Sequence, residues 1–212
     1  MSNEKVVQNE QVQNNAPVYD FDLREMMRYR VNKTSSTLGL LAMVFSMLGA
    51  FICLNSMNPD NAQVIFIILL NVVILLGGFL ASEKVKAYNI GGAYAQLIFG
   101  AVCIGRIFYI PLILVIKYNQ FLSSLTYDEA QKTWGVTNQE AYDASAKYLG
   151  ATIRSKYEGN VANAFLPSSG NFRGIAAMVL FAIAALCFIA AGVIGYKRAK
   201  TLNAYMESIK QN

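Results

Sequence analysis

The chain has 212 residues, of which 55% are hydrophobic and 15% charged, and its formal net charge is +5. Soluble domains carry about 25% charged residues, so this composition excludes an ordinary soluble protein and favours a membrane protein. The sequence has no histidine and three isolated cysteines, Cys53, Cys103 and Cys187. Neither a metal-ligand spacing nor a disulfide framework can be assembled from them. We therefore expect no cofactor, no metal site and no catalytic residue.

Two segments precede the first apolar run. Residues 1–18 are polar and rich in Asn, Gln and Glu, which predicts a disordered cytoplasmic tail. Residues 19–34, YDFDLREMMRYRVNKT, place apolar and basic side chains on opposite faces of a helix, which predicts an amphipathic juxtamembrane helix. Its basic residues are candidates to bind anionic lipid at Arg24, Arg28 and Arg30. The alternative is a docking site for another cytoplasmic protein.

Four apolar runs are long enough to cross roughly 30 Å of hydrocarbon, which takes about 20 helical residues. They lie at approximately 37–54, 64–81, 93–116 and 174–196. We assign transmembrane helices 1–3 to residues 35–116 and transmembrane helix 4 to residues 174–196. The predicted fold class is an all-α membrane protein with four transmembrane helices in an antiparallel bundle. A small helical extracytoplasmic insertion is predicted between spans three and four.

The positions of Lys and Arg predict the orientation of these helices. The N-terminal segment, the turn at 82–92 and the tail at 197–212 together hold eleven cations and seven acids, whereas the opposite side holds six of each. This bias predicts a multi-pass protein of the cell membrane with both termini in the cytoplasm. The basic charge thus follows from topology, and no nucleic-acid-binding motif accompanies it.

The loop at 117–173 contains two matches to the T-x-x-E capping box, at Thr126–Glu129 and Thr137–Glu140. They predict a short helix that ends at Trp134–Gly135 and a second helix from about Asn138 to Tyr157. One face of the second helix is apolar, at Tyr142, Ala146, Leu149, Ile153 and Tyr157. We expect this face to pack on the first helix and on the ends of the spans. The alternative is that this face, or Trp134, contacts a partner protein, because Tyr and Trp are enriched at binding hot spots.

Arg106 is the unusual residue of the third span, since a charge near the middle of an apolar helix costs about 2.5–3.5 kcal/mol on insertion scales. Counting residues from the outer ends of the spans puts Asn71 and Ser46 at nearly the same depth. Tyr109 is a further candidate partner, as is the carbonyl of Ile107, which Pro111 leaves without its helical donor. No carboxylate lies deep in any span.

Two interpretations of Arg106 compete. In the first, it is buried and hydrogen-bonded within this polar layer, or it extends outward along its span. In the second, it is an unneutralised cation in an open cavity and binds an anionic solute, a lipid phosphate or a partner's carboxylate. The candidate ligand or partner contacts of the whole chain are Arg106, Asn71, Ser46, Tyr109 and Trp134.

The outline of four spans and a longer second outer loop is similar to that of tetraspanins, but their Cys-Cys-Gly motif is absent. No residue role is carried over, and no family is assigned. We expect a non-enzymatic integral membrane protein, an accessory or scaffolding subunit of a cell-membrane assembly that contacts a protein partner or a second copy of itself. The alternative is a small carrier or channel component that binds an anionic solute or lipid near Arg106. A lipid-modifying enzyme is a weaker third possibility.

Overall fold

The structure is a computed structural model that describes residues 32–56, 62–109, 111–130, 133–150, 154 and 170–210. The helices of this part of the chain are α1 Lys33–Leu54, α2 Ala62–Lys86, α3 Ile90–Tyr109, α4 Pro111–Ser123, α5 Gln139–Ala146 and α6 Gly170–Lys210, and the strands are β1 Leu125–Asp128 and β2 Thr133–Val136. The predicted tail at 1–18 and the predicted helix at 19–34 up to residue 31, with Arg24, Arg28 and Arg30, lie outside the described residues.

The prediction of membrane-spanning helices is confirmed by length and composition. In the part of the chain that the structure describes, four stretches are long and apolar enough to cross a bilayer: Lys33–Leu54, Ile65–Lys86, Ile90–Ser123 and Asn171–Ala204. In the most apolar part of α2, only 28% of the residues are buried inside the protein. The remaining apolar surface would cost about 25 cal/mol per Å² in water, so these helices belong in lipid.

The first helix begins earlier than predicted, at Lys33. The side chain of Asn32 accepts a hydrogen bond from the backbone N–H of Ser35 at 3.5 Å and so caps the helix. Asn32 also accepts a bond at 2.8 Å from Arg198 of α6, and its backbone N–H donates to the carbonyl of Lys86 at 3.4 Å. The start of α1, the end of α2 and the later part of α6 therefore meet at one end of the molecule.

The predicted third span, 93–116, lies within the candidate span Ile90–Ser123, whose residue 110 is outside the described residues. The helix α3 ends at Tyr109, and α4 begins at Pro111 and continues to Ser123. Pro111 has no N–H to donate to the carbonyl of Ile107, one turn earlier.

The long helix α6 occupies the centre of the fold. It packs along α1 and α3, and its first part also packs on α4. Phe181 of α6 is fully buried and lies 3.1 Å from the position that a Cβ on Gly49 of α1 would occupy. The predicted end of this span at residue 196 is too early, since the helix continues without interruption to Lys210.

The first predicted loop helix is wrong, because this segment forms a β-hairpin. Strands β1 and β2 pair antiparallel, with Tyr127 opposite Trp134. Their rings lie 5.1 Å apart, and such cross-strand aromatic pairs stabilise a hairpin. Thr, Tyr, Trp and Val favour strands, and this preference outweighed the capping-box match at Thr126. The predicted all-α class and helical insertion therefore need a small correction.

The second loop helix exists but is shorter than predicted. It begins after Asn138, whose side chain accepts from the N–H of Ala141 at 3.0 Å, and it ends at Ala146. Beyond a turn, Leu149 is fully buried and Gly150 donates to the carbonyl of Ser56 at 2.9 Å. This bond attaches the chain after α5 to the end of α1, and the rest of the predicted helix, apart from Arg154, lies outside the described residues.

The expected packing of that apolar face on the ends of the spans is found for the described residues, whereas the segment predicted to form the first loop helix is the hairpin. Tyr142, Ala146 and Leu149 belong to one core cluster together with Phe121 of α4. The rings of Phe121 and Tyr142 lie 5.4 Å apart. The loop segment is thus attached to the ends of the spans, while positions 153 and 157 of the predicted face lie outside the described residues.

Candidate functional site

The candidate site is a polar layer in the apolar core, built from one residue of each of four helices. These residues are Ser46 of α1, Asn71 of α2, Arg106 of α3 and Phe181 of α6. Each helix rises by about 1.5 Å per residue, so the positions of these residues along their helices place them at the same depth. We call this set the Arg106 layer.

The guanidinium of Arg106 is held from three directions. Its Nη1 donates to Ser46 Oγ at 2.8 Å and its Nη2 donates to Asn71 Oδ1 at 3.0 Å. Its Cζ lies 4.3 Å from the centroid of the Phe181 ring, which is a cation–π distance. The side chain is only 2% exposed. Arg106 therefore does not extend outward along its span, and it does not line an open cavity in this conformation.

The positive charge of Arg106 meets only neutral groups among the described residues. Its Nε is buried and has no hydrogen-bond partner there, and Ser46 and Asn71 are both uncharged. The buried thiol of Cys103 lies 4.0 Å from Ser46 Oγ, at the edge of the layer. Carboxylates are the usual partners of buried guanidinium groups, so this layer satisfies the hydrogen bonds of Arg106 only in part and leaves its charge unneutralised.

Asn71 connects the layer to the outside of the protein. Its Nδ2 donates to the carbonyl of Ile67, one turn earlier, at 2.8 Å, while its Oδ1 accepts from Arg106. The same side chain lines a groove of about 240 Å³ between α1 and α2. The other lining residues are all apolar: Met47, Ala50, Phe51, Leu54, Ile68, Val72 and Leu75. We call this the α1–α2 groove.

Two of the candidate contacts lie apart from the layer. Tyr109 is 46% exposed and packs edge-on against Phe66 of α2, with ring centroids 6.1 Å apart, so the expectation that it would compensate Arg106 is wrong. Trp134 is 39% exposed and stacks on Tyr127 in the hairpin. Whether any of the five candidates contacts a ligand or a partner stays a prediction.

Phe181 and the pairing of Gln96 with Ser82 were not predicted, although Gln96 stood out as a polar residue of the third span and as a candidate to line the path of a carrier. Phe181 offers no polar atom, so only the packing of α6 reveals its ring beneath Arg106. Gln96 and Ser82 are both fully buried, and their side chains are joined at 3.2 Å. Gly39 allows this close approach, because a Cβ there would collide with both side chains. The isolated polar residues within apolar runs were the available signal for this pair.

Comparison with known proteins adds no identification: no family model, no curated protein and no solved structure matches this chain.

Proposed function

We propose that this chain is a non-enzymatic integral protein of the cell membrane that serves as an accessory or scaffolding subunit of a membrane assembly. One observation carries the proposal. Arg106 is tied to one residue from each of three other helices and is 2% exposed. The polar residues in the middle of the spans therefore hold the helices together, which suits a structural component better than a carrier or a pore.

The proposal includes an orientation. The four spans form an antiparallel bundle with both termini in the cytoplasm, and the segment at 117–173 is extracytoplasmic. Two facts support this arrangement. The start of α1 is bonded to the end of α2 through Asn32 and Lys86, and the excess of Lys and Arg lies on the side of the two tails.

The hairpin offers a surface for a protein partner. Tyr127 and Trp134 are 45% and 39% exposed and form one aromatic patch, with Val136 close by in the same strand. Aromatic residues dominate binding hot spots, and the same residues are also typical of the membrane–water interface. Whether the patch lies at a protein interface or at the membrane–water interface, it would fix the position of the hairpin relative to the neighbouring protein or membrane surface.

The alternative is a carrier or channel component with an anion-binding site at Arg106. The unneutralised charge of Arg106 and the groove at Asn71 favour it. Against it, Arg106 is closed off on all sides in this conformation, and the groove is otherwise apolar. A transport function therefore requires a second conformation in which the bonds to Ser46 and Asn71 are broken.

Affinity purification in mild detergent, followed by native mass spectrometry, separates the two functions. We expect one or more other membrane proteins at a fixed stoichiometry, absent from a control purification of an unrelated tagged four-span protein. Trp134→Ala tests the hairpin patch, with Tyr109→Ala as a control at an exposed aromatic residue in a span. A homo-oligomer without other proteins, combined with anion uptake by reconstituted vesicles, would contradict the subunit proposal and establish the carrier.

A further inference from the structure

We infer that the α1–α2 groove binds a transmembrane helix of a partner protein, and that this helix carries an Asp or Glu whose carboxylate pairs with Arg106. The inference rests on the proposed function, because it names the chemistry of the partner in the assembly. It concerns the interior of the membrane and is independent of the aromatic patch on the hairpin.

The guanidinium charge of Arg106 is the reason to expect an acidic partner. Arg106 is buried, its Nε has no partner among the described residues, and both of its hydrogen-bond acceptors are neutral. The four candidate spans contain no Asp or Glu except Glu83, which lies near the far end of α2 and pairs with Lys86. Ionisable residues within a membrane are usually paired with one another. The missing counter-charge must therefore come from outside these spans.

Asn71 lies where a partner in the groove would reach Arg106. Asn71 Oδ1 accepts from Arg106 Nη2, and the same Asn71 side chain forms part of the wall of the α1–α2 groove. Asn71 thus contacts both the guanidinium and the groove. Rotation of the Asn71 side chain frees Nη2, and a carboxylate in the groove then replaces the amide oxygen as its acceptor. A charged acceptor makes the stronger bond.

The depth of the Arg106 layer in the membrane decides which kind of molecule can reach it. Ser46 lies eight residues before the end of α1 at Leu54, which places the layer about 12 Å along the helix from that end. A lipid phosphate lies outside the hydrocarbon and does not reach this depth, whereas a side chain of a transmembrane helix does. The apolar walls of the groove, including Met47, Phe51 and Val72, suit the remaining side chains of such a helix.

A second copy of this chain does not supply the carboxylate. Its spans carry no acid at the depth of Arg106. Two copies that met at their grooves would bring two guanidinium groups together, which is unfavourable. The partner is therefore a different protein.

The test uses a synthetic transmembrane helix of Leu and Ala with a single central Asp, and a matched helix with Leu at that position. Association with the full chain is measured by fluorescence energy transfer in phosphatidylcholine vesicles. We expect the Asp helix to bind about tenfold more tightly than the Leu helix. Arg106→Leu should abolish this difference, and Arg106→Lys should retain only part of it, because the planar fork of donors is lost.

A matched pair of variants tests the groove. Val72 lines the groove and is 45% exposed, whereas Val73 is 51% exposed and lies outside it. Val72→Trp should fill the groove and reduce binding of the Asp helix, while Val73→Trp should leave it unchanged. Circular dichroism of each variant in the same vesicles verifies that the helices are intact.

Three results would overturn the inference: equal binding of the Asp and Leu helices, an Asp preference that persists in Arg106→Leu, or equal effects of Val72→Trp and Val73→Trp. Retention of phosphatidylglycerol that depends on Arg106, without any Asp preference, would show that the site takes a lipid instead. The proposed function is judged separately. If a natural partner co-purifies with the Arg106→Leu variant as it does with the wild type, the subunit function stands and the inference falls.

Discussion

Replacing Arg106 by leucine is the perturbation for which the structure gives the clearest quantitative expectation. The change removes the hydrogen bonds to Ser46 and Asn71 and the contact with Phe181. Polar pairs between membrane helices average about 0.6 kcal/mol and reach about 1.7 kcal/mol, and a cation–π contact adds about 0.5–2 kcal/mol. Removing a buried charge offsets part of this loss. We expect Arg106→Leu to lower the free energy of unfolding by about 1–3 kcal/mol.

Asn71 provides a second test of the same prediction, because its side-chain amide loses a partner when Arg106 is replaced. In the Arg106→Leu variant, Asn71 Oδ1 is left without its donor, so Asn71→Leu in that background should recover about 1 kcal/mol. The assay is unfolding by SDS in mixed micelles, followed by circular dichroism, for both single variants and the double variant. Gln96→Leu is the control partner, because Gln96 bonds to Ser82 and not to Arg106.

A coupling energy between Arg106 and Asn71 of less than about 0.3–0.5 kcal/mol, the usual range for independent sites, would refute the reasoning. So would an equal coupling between Arg106 and Gln96. Either result would mean that the layer contributes nothing as a unit.

Three further predictions use matched substitutions elsewhere. Gly39→Ala should destabilise the protein by about 1–3 kcal/mol, because its Cβ meets Ser82 and Gln96. The control Gly105→Ala, whose Cβ meets no atom within 4 Å, should be neutral or stabilising. Equal effects of the two variants in the SDS titration would argue against this packing. Leu149→Asp puts a charge in a fully buried position and should speed proteolysis of the loop segment, whereas Ala144→Asp, at an exposed position, should not; equal digestion rates would count against the core cluster around Leu149. For the orientation, Ala144→Cys should react with an impermeant thiol reagent on intact cells and Ala204→Cys, also exposed in the structure, should not; the reverse pattern would invert the proposed topology.

The depth of the polar layer could be predicted from sequence because the rise of a helix is constant. Counting from the outer ends of three spans was enough to bring Ser46, Asn71 and Arg106 together. The direction in which each side chain points around its helix axis is set by packing, and counting residues along the span does not give it. Tyr109 follows Arg106 by three residues and was expected beside it, yet its ring lies outside against Phe66. Phe181 was missed for the same reason.

The loop segment shows a different limit of sequence reasoning. The T-x-x-E motif at Thr126 is a local signal for a helix start, but the aromatic and β-branched residues around it favour strands, and the pairing of Tyr127 with Trp134 is not local. In α5 the local signal held, although the cap is Asn138. Beyond the end of that helix, Gly150 bonds to Ser56, about 90 positions earlier in the chain, a contact that no short window contains.

The native thiol of Cys103 offers the most direct test of whether the Arg106 layer is a closed structural tie or part of a path. Cys103 is fully buried, 4.0 Å from Ser46 Oγ. With Cys53 and Cys187 replaced by alanine, the protein is reconstituted in vesicles and treated with a charged, water-soluble methanethiosulfonate reagent. We predict that Cys103 stays unmodified until SDS unfolds the protein. Modification of Cys103 in the folded protein, at a rate near that of an exposed thiol at position 144, would show water at the layer and contradict its structural role.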